Sequence, residues 1–352
     1  MKKTTDILDK AQNGVKLNHD EVIFLLSQRE EATLNRIYEA ARNTRTEYFG
    51  NKIFAYGFVY FSTYCHNECS FCFYRKSNDQ SLRYRKNRDE IVDLSKALAA
   101  SGVHLIDLTM GEDAVFLEDE ERLIELVDAV KAATGLALMI SPGKVSEPLL
   151  DKLIKSGVDW YALYQETYNR QLYRKMRLDQ DYDQRMSTKI QARDKGFLLE
   201  EGLLTGIGDT IEDRAQAMLA MGSLGVSQVR TMTFVPQKGT PLENVTPQDC
   251  GNELLNISVM RLLYPDKLIP ASLDVEGLSG LQGRLMAGAN VITSIIPPRE
   301  GLAGVSQSSL DIDDGSRSLP MIIPTLEAAG LTLATNADYE NFLKKEKIKR
   351  GA

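Results

Sequence analysis

Cysteine and proline are scarce in this sequence, and long apolar runs are absent from it. The 352 residues include four cysteines and 11 prolines. Four cysteines, three of them crowded together, do not make a disulfide framework, and so little proline argues against long disordered segments. The start, MKKTTDILDK, lacks the apolar run of a secretory signal, and no window approaches the roughly 18 apolar residues of a membrane span. We therefore expect a soluble, cytoplasmic protein with no membrane partner.

The charge balance disfavours one class of partner. The chain has 42 basic and 49 acidic residues, a formal net charge of -7 and an isoelectric point of about 5.3. Proteins that bind nucleic acids usually present an excess of positive charge. We therefore expect no nucleic-acid partner and a small-molecule substrate. The 43% of hydrophobic residues is ample for a large core in a chain of this length.

The first 50 residues predict a helical extension. Apolar side chains recur at helical spacing there, and Asn18 followed three residues later by Glu21 is typical of a capping box at a helix start. The pattern changes after this point. We therefore divide the chain into an N-terminal helical extension, residues 1–50, and a second domain, residues 51–352.

The second domain alternates short strands with amphipathic helices. Several of the helical segments end on glycine, as helices commonly do. Eight strands are predicted, at residues 53–61, 105–110, 136–140, 160–164, 203–207, 229–235, 268–274 and 291–296. This alternation predicts an α/β fold, a parallel (β/α)8 TIM-type barrel, with an open doubly wound sheet as the alternative. Residues 298–318 are the longest loop-like stretch, either a cover over the barrel mouth or a surface excursion.

Three cysteines lie within eight residues, directly after the first predicted strand. In CHNECSFC, Cys65, Cys69 and Cys72 would sit at the C-terminal mouth of the barrel, where barrel enzymes place their reactive groups. A structural zinc ion usually takes four protein ligands, and His66 is available as the fourth. A 4Fe-4S cluster with three thiolates instead leaves one iron open to another ligand. Cys250 has no partner cysteine, and we expect it to be an ordinary side chain.

The C-x3-C-x2-C spacing, with the aromatic Phe71 before the last cysteine, resembles the cluster loop of the radical S-adenosylmethionine (SAM) superfamily. The resemblance implies a 4Fe-4S cluster held by the loop 65–72, whose open iron binds the amino and carboxylate groups of SAM. One electron, from a donor such as flavodoxin or ferredoxin, then splits SAM into methionine and a 5′-deoxyadenosyl radical. The resemblance thus implies an enzyme with two cofactors, the cluster and SAM, and disfavours zinc.

Segments after the later strands resemble the SAM site of the biotin synthase-like branch of this superfamily. TMGED resembles a Gly-Gly-Glu segment whose backbone receives the methionine ammonium, with Met110 in place of the first glycine. Polar positions after strands three and four match those that hold the ribose and the methionine carboxylate, and the fork of Arg185 suits a carboxylate. The resemblance places ten residues at SAM: Phe71, Phe73, Tyr74, Met110, Gly111, Glu112, Ser141, Glu166, Arg185 and Ile207. From the residues alone, Arg185 is equally an exposed helix arginine, Glu166 a salt-bridge partner and Ser141 a cap.

Polar side chains on two neighbouring predicted strands indicate a receptor for a zwitterion. Period-two alternation puts Arg230 and Met232 on one face of strand six, and Ser272 and Asp274 on one face of strand seven. Charges in a barrel lumen are costly unless they meet partners or a ligand. Asp107 would point inward from roughly the opposite wall. The alternative is that Arg230 and Asp274 simply pair with each other.

Together with the stretch 272–298, this set resembles the members of the branch that isomerise L-lysine to (3R)-3-methyl-D-ornithine in pyrrolysine biosynthesis. The resemblance implies a radical mutase: hydrogen removal from lysine, fragmentation at Cα–Cβ and re-addition of the glycyl fragment. It implies that Arg230 holds the carboxylate, that Ser272 and Asp274 help to hold the amino acid head, and that Asp107 contacts an ammonium. The alternatives are a reaction of the biotin synthase or hydrogenase-maturase type on another small molecule, and a non-catalytic iron–sulfur or zinc module.

Overall fold

The computed structural model describes residues 2–300, 302, 304 and 317–349. Fourteen helices are assigned within these residues. They are α1 (Lys2–Gln12), α2 (His19–Leu26), α3 (Glu31–Phe49), α4 (Arg88–Ser101), α5 (Ala114–Glu118), α6 (Glu120–Thr134), α7 (Glu147–Lys155), α8 (Arg170–Met176), α9 (Tyr182–Asp194), α10 (Ile211–Leu224), α11 (Gly251–Leu263), α12 (Leu281–Met286), α13 (Leu319–Ala328) and α14 (Asn336–Lys349). Most of the predicted cover segment, 298–318, lies outside the described residues.

Eight of the strands form a parallel barrel. They are β1 (Lys52–Ser62), β3 (Leu105–Met110), β4 (Ala137–Ser141), β5 (Trp160–Ala162), β7 (Leu198–Thr205), β8 (Gln228–Thr233), β9 (Pro270–Ser272) and β10 (Val291–Ile295). The remaining strands are short: β2 (Glu68–Cys69) pairs antiparallel with β6 (Arg177–Leu178), and β11 (Thr332–Leu333) pairs with β1.

The strand order decides between the two predicted architectures. The path runs β8-β7-β5-β4-β3-β1-β10-β9. It closes where Leu268, two residues before β9, accepts from the N–H of Val229 at 3.0 Å and donates to the carbonyl of Ser227 at 3.1 Å. The (β/α)8 barrel is therefore confirmed, and the open doubly wound sheet is wrong. In this order β3 and β8 are four steps apart and face each other across the lumen.

Local sequence signals set the helix ends. Asn18 and Glu21 form the predicted capping box, with reciprocal bonds of 3.0 and 2.7 Å. Asn87 and Glu90 repeat the motif at the start of α4, which ends on Gly102 with a left-handed φ of 98°. Such caps satisfy backbone groups that have no partner inside the helix. They fix where each helix leaves the barrel and hence where the next strand enters it.

The fifth barrel strand is longer than predicted. The sequence placed it at 203–207, whereas β7 begins at Leu198 and ends at Thr205. The missed part contains two consecutive glutamates, Glu200 and Glu201, which are both buried. A search for runs of apolar residues does not identify a buried strand that contains two carboxylates, because burying an unpaired charge costs free energy. Both carboxylates are tolerated here because each meets a cation, Glu200 with Arg230 and Glu201 with Lys189.

Helices close the end of the barrel opposite the mouth. Phe342 of α14 stacks on Trp160 at a centroid distance of 6.4 Å, and Tyr339 packs edge-on against Phe54 at 5.1 Å. The N-terminal helices pack on the outside, where Arg45 of α3 donates to the carbonyl of Leu285 at 2.6 Å. Among the described helices, none is long and apolar enough to cross a membrane. The open mouth is left as the place where a small molecule can enter.

Candidate active site

One large pocket occupies the C-terminal mouth of the barrel and extends into the lumen. Its wall includes most of the residues singled out in the sequence: Cys65, Cys69, Phe71, Cys72, Tyr74, Asp107, Met110, Gly111, Glu112, Ser141, Glu166, Arg185, Arg230 and Asp274. Three others lie outside the wall. Ser272 sits behind Asp274 and donates to its Oδ2 at 3.1 Å. Ile207 belongs to a small apolar cluster beside Phe71, and Phe73 is buried.

The cysteine loop leaves β1 and folds over the rim of this pocket. Cys65 and Cys72 are partly exposed, whereas Cys69 is buried in the short strand β2. The ring of His66 lies against Glu112, with 3.3 Å between Nε2 of His66 and Oε2 of Glu112. In the described part of the chain, no three His, Cys, Asp or Glu side chains converge on one point suited to a single metal ion. The fourth ligand that the zinc interpretation needs is therefore not provided by His66.

The surroundings of the thiols favour a bound metal cluster over a single metal ion. Burial raises the pKa of Cys65 to about 11 and raises that of Cys72, and in both cases a neighbouring thiolate adds to the effect. Thiols whose ionisation is opposed by burial and by a neighbouring thiolate favour a bound cation that neutralises them, since metal binding releases their protons. Three thiolates around one rim, with the pocket on the fourth side, fit a 4Fe-4S cluster with one open iron.

A glycine permits the close approach of strand β3 to the cysteine loop. A Cβ on Gly111 would lie 2.3 Å from the carbonyl oxygen of Tyr64 and 2.8 Å from Cβ of Cys65. Any other residue would push the two segments apart. Met110, the residue before Gly111, has its side chain buried at the end of β3. The substitution of methionine for the first glycine of the family segment therefore leaves the backbone at Gly111 in place.

Glu112 is held as a carboxylate. Its burial disfavours the charge, but the hydrogen bond with His66 and the charge of Arg185 outweigh this and lower its pKa to about 2. Arg185 is itself buried, so it is not the exposed helix arginine of the alternative interpretation. Its Nη1 donates to Glu112 Oε1 at 3.4 Å, and its Nε donates to the carbonyl of Tyr164 at 2.9 Å. An ionised carboxylate and a fixed guanidinium thus face the pocket together.

Glu166 and Ser141 also turn inward. Glu166 has a left-handed φ of 66° and accepts from Arg177 Nη2 at 3.0 Å, so the alternative interpretation of Glu166 as a salt-bridge partner is confirmed. Burial raises the pKa of Glu166, against the nearby charges of Arg177 and Arg185. Ser141 Oγ donates to Asp107 Oδ1 at 3.2 Å, so its hydroxyl belongs to the lumen and not to a helix cap. A non-glycine residue at positive φ costs energy and is often found at functional sites.

The alternative interpretation, in which Arg230 and Asp274 pair with each other, is wrong, because each of them has a different partner. Arg230 Nε donates to Glu200 Oε1 at 2.6 Å, and the rings of Tyr164 and Phe58 flank its guanidinium at 5.6 and 5.9 Å. Glu200 was missed in the sequence because it lies in the part of β7 that was not predicted. Period-two alternation would have placed it on the same face as Gly202, which packs against Arg230.

Asp274 has a different cation, Arg317. Arg317 Nη1 donates to Asp274 Oδ1 at 3.1 Å, while the hydroxyls of Ser272 and Ser294 donate to Oδ2 at 3.1 and 2.7 Å. Tyr60 also donates to Oδ1, at 3.2 Å. Arg317 falls within the loop-like stretch 298–318, where no periodic pattern could indicate its direction.

Two buried polar atoms at opposite sides of the lumen have no hydrogen-bond partner among the described residues. They are Nη2 of Arg230 on β8 and Oδ2 of Asp107 on β3; Oε2 of Glu200, beside Arg230, is likewise without a partner there. Burial and the charge of Glu200 raise the pKa of Asp107 to about 7. Buried polar groups are nearly always satisfied, so an exception asks for an explanation. A donor on one wall and an acceptor on the other can receive the two charged ends of a small zwitterion.

The chain is similar to proteins of known activity over nearly its whole length. A profile of the Radical SAM superfamily matches residues 59–221. The 3-methylornithine synthase of Methanosarcina barkeri is 44% identical over 335 residues, which cover 95% of each chain. That of Methanosarcina acetivorans is 43% identical over 347 residues, 97% of this chain and 99% of the relative.

A solved structure agrees with the sequence comparisons. The crystal structure of methylornithine synthase (PylB) superposes with a TM-score of 0.91 at 43% identity, covering 96% of this chain and 99% of the other. At this identity and coverage, the agreement extends beyond the fold that distant members share. The cofactors of this superfamily are a 4Fe-4S cluster and SAM, which the cysteine loop and the pocket fit. The chain belongs to the radical SAM superfamily and, within it, to the family of the 3-methylornithine synthases.

Proposed function

We propose that this protein isomerises L-lysine to (3R)-3-methyl-D-ornithine, as a step of pyrrolysine biosynthesis. The observation that carries the substrate assignment is the pair of unsatisfied atoms in the lumen, Arg230 Nη2 and Asp107 Oδ2. They lie on facing strands, β8 and β3. Lysine has a carboxylate and an ammonium at its head and a second ammonium at the end of its side chain. The carboxylate would satisfy Arg230 Nη2, and an ammonium would satisfy Asp107 Oδ2.

The residues at the rim would hold the cofactors. Cys65, Cys69 and Cys72 would each ligate one iron of the cluster, and Arg185 would bind the methionine carboxylate of SAM through its fork. Glu166 and Ser141 would face the ribose, and the backbone at Gly111 would receive the methionine ammonium. When bound, the cluster and SAM supply a 5′-deoxyadenosyl radical.

The lumen residues would hold lysine below the rim. Arg230 would bind the carboxylate, with Ser272 and Asp274 at the amino acid head and Asp107 at an ammonium. Lysine loses a hydrogen atom from a side-chain carbon and fragments at Cα–Cβ into a glycyl radical and an alkenyl amine, which are rejoined at another carbon of that amine. The product radical then recovers the hydrogen atom from 5′-deoxyadenosine, so the product is an isomer of lysine. The fragments must stay together for rejoining, and proximity gives the second step the advantage of an intramolecular reaction.

The walls of the pocket support such confinement. Phe58, Tyr60 and Tyr164 line its deep part, and Phe58 and Tyr60 are almost completely buried. Closely packed aromatic side chains around the reacting carbons would exclude solvent and keep the fragments together. The charged contacts are confined to the two ends of the substrate, which leaves the carbon chain in apolar surroundings.

The alternative reactions receive less support from the site. A sulfur insertion of the biotin synthase type uses a second cluster with several thiolate ligands inside the barrel. The cysteine that remains, Cys250, lies at the start of α11 beside Glu276 and Glu253 and is not part of the pocket wall. A non-catalytic iron–sulfur or zinc module would have no use for unsatisfied polar atoms deep in the lumen.

The decisive experiment is product identification. The protein is reconstituted anaerobically, reduced with dithionite, and incubated with SAM and uniformly 13C-labelled L-lysine. Mass spectrometry should find 3-methylornithine carrying all six labelled carbons, and 5′-deoxyadenosine should form. The Cys72→Ala protein is the matched control and should give neither product. Deoxyadenosine without a lysine isomer, at saturating lysine, would contradict the proposed substrate. Replacing dithionite by reduced flavodoxin or ferredoxin tests the proposed electron donor.

A further inference from the structure

The segment around Cys69, the buried cysteine of the cluster loop, is hydrogen-bonded to a segment that lies far away in the sequence. Cys69 is directly opposite Arg177 in the antiparallel pair of β2 and β6. The neighbouring residue, Ser70, donates to the carbonyl of Met176 from its backbone and to that of Lys175 from its hydroxyl, each at 2.8 Å. Directly opposite residues in an antiparallel pair project their side chains to the same face. The backbone therefore brings the side chain of Arg177 to the sulfur of Cys69.

The buried guanidinium of Arg177 contacts the sulfur of Cys69, two oxygen acceptors and an aromatic ring. Its Nη1 lies 3.6 Å from Cys69 Sγ, and its Nη2 donates to Glu166 Oε1 and to the carbonyl of Tyr164, each at 3.0 Å. The ring of Phe71 covers its face at 5.3 Å. A positive charge is thus fixed beside one thiol by a carboxylate and a carbonyl on the other side.

Gln180 makes the shorter contact with the same sulfur. Its Nε2 donates to Cys69 Sγ at 2.9 Å, and its Oε1 accepts from Arg185 Nη1 at 3.1 Å and from Arg177 Nη1 at 3.5 Å. A guanidinium can only donate, so the amide oxygen must face the two arginines. The amide NH2 group must then face the thiol. The orientation of Gln180 at Cys69 is therefore set by Arg185.

The other two cysteines have different surroundings. Backbone N–H groups at Asn67 and Glu112 contact Cys65, and one at Tyr74 contacts Cys72. Cys69 alone of the three is given side-chain donors in the described structure, one of them charged. Side-chain donors on one sulfur are not required to build the loop, since β2 and β6 already hold it. They have a consequence for the charge on that sulfur.

We propose that Gln180, oriented by Arg185, and Arg177 form a hydrogen-bond relay to the Cys69 thiolate that raises the reduction potential of the bound cluster. Hydrogen bonds and positive charge at a ligating sulfur stabilise the more negative, reduced state of an iron–sulfur cluster. Gln180 and Arg177 are positioning residues, which act on the cluster through Cys69. The inference rests on the proposed function in two respects, namely that Cys69 ligates the cluster and that Arg185 holds SAM.

The test is a redox titration followed by electron paramagnetic resonance. Wild type, Gln180→Leu, Gln180→Glu and Gln184→Leu are reconstituted anaerobically, and the iron content and midpoint potential of each are measured. Gln184 is the matched control because it lies four residues away on α9, is exposed, and contacts Lys144 at 2.7 Å and not the cluster loop. Arg174→Met and Arg177→Met form a second pair, since Arg174 is exposed on α8.

The relay predicts a graded result at constant iron content. The midpoint of Gln180→Leu should shift to more negative values, and that of Gln180→Glu should shift further because an acceptor replaces the donor. Gln184→Leu should match wild type, and Arg177→Met should shift in the same direction as Gln180→Leu while Arg174→Met does not. Equal midpoints in wild type and Gln180→Leu would overturn the relay, as would loss of iron from Gln180→Leu with an unchanged circular dichroism spectrum. Full iron in a Cys69→Ala protein would instead refute the ligand assignment, whatever the Gln180 variants show.

Discussion

Arg230 donates to Glu200 across 2.6 Å, and this buried ion pair has a neighbour in which Arg317 donates to Asp274 across 3.1 Å. Each charge at the substrate end of the lumen is therefore compensated within the protein. L-Lysine would add one carboxylate and two ammonium groups, a net charge of +1, and the carboxylate of Asp107, which makes no salt bridge among the described residues, would offset the extra positive charge. The pocket can thus lose its water on binding without leaving a net charge in a region of low dielectric constant.

Removing Glu200 should destabilise the fold. The Glu200→Ala change leaves the guanidinium of Arg230 buried without its counter-ion, and breaking one side of a buried pair costs about 3–5 kcal/mol. Urea unfolding should show a loss of this size. Glu125→Ala is the matched control, because Glu125 is exposed on α6, and it should change stability by less than about 0.5 kcal/mol. Equal stabilities of the two variants would show that Arg230 does not depend on Glu200.

Lysine turnover should depend on the ionisation of Asp107. Its pKa is about 7, raised first by burial and then by the charge of Glu200. The carboxyl loses its charge as the pH falls through this value, and an uncharged group holds an ammonium poorly. At saturating SAM, kcat/KM for lysine should fall about tenfold per pH unit below pH 6 and level off as the pH rises to about 8, where the ammonium groups of free lysine are still charged.

The Asp107→Asn variant separates this effect from other titrations. It should have a low kcat/KM for lysine at every pH and should lose the inflection near pH 7. An inflection that persists in Asp107→Asn would assign the titration to another group.

Replacing Arg185 and replacing Arg230 should impair different steps, SAM binding in the first case and lysine turnover in the second. Arg185→Ala should weaken SAM binding, because the carboxylate loses its guanidinium. Arg230→Ala leaves Glu200 without its cation and should lower stability as Glu200→Ala does. The folded variant should keep the cluster and SAM binding but lose nearly all methylornithine, while slow, uncoupled formation of 5′-deoxyadenosine continues. Cluster content, SAM affinity, deoxyadenosine and methylornithine are measured in parallel for both proteins. If Arg185→Ala cleaves SAM normally and loses only lysine affinity, the two roles have been misassigned.

Gly111 should be intolerant of any side chain. The added Cβ of Gly111→Ala would lie 2.3 Å from a backbone carbonyl oxygen, and relieving such an overlap costs about 1–3 kcal/mol. The cysteine loop should shift, so cluster content after reconstitution should fall. Gly283→Ala on α12 is the matched control, since its Cβ would meet only Leu254 at an ordinary 3.5 Å. Full cluster content in Gly111→Ala would show that the loop position is not set by this contact.

The cluster should depend on three of the four cysteines. Replacing Cys65, Cys69 or Cys72 by alanine should abolish it, because each thiolate would hold one iron. Cys250→Ala should leave about four irons and four sulfides per chain. Iron analysis and the visible absorbance after anaerobic reconstitution measure both. Loss of iron in Cys250→Ala, with full iron in Cys72→Ala, would contradict the ligand set.

Much of the fold was predictable because its signals are local. Alternating apolar runs gave all eight barrel strands, and the capping box at Asn18 forms as predicted. The placement of the cysteines at the mouth followed from their position after β1, because parallel strands end on the same side of a barrel. The same rule brought Glu112, Ser141 and Arg185 to the pocket wall.

What the sequence determined by itself is thus the barrel and the chemistry of the residues at its mouth. Tertiary structure alone decided which charges meet: Arg230 with Glu200, Asp274 with Arg317, and Cys69 with Gln180, 111 residues further along the chain. The reason is physical. A strand or helix forms from interactions between neighbours in sequence, whereas a buried charge takes whichever opposite charge or hydrogen-bond donor the closed barrel places nearest. That partner is defined only after all eight strands have found their neighbours.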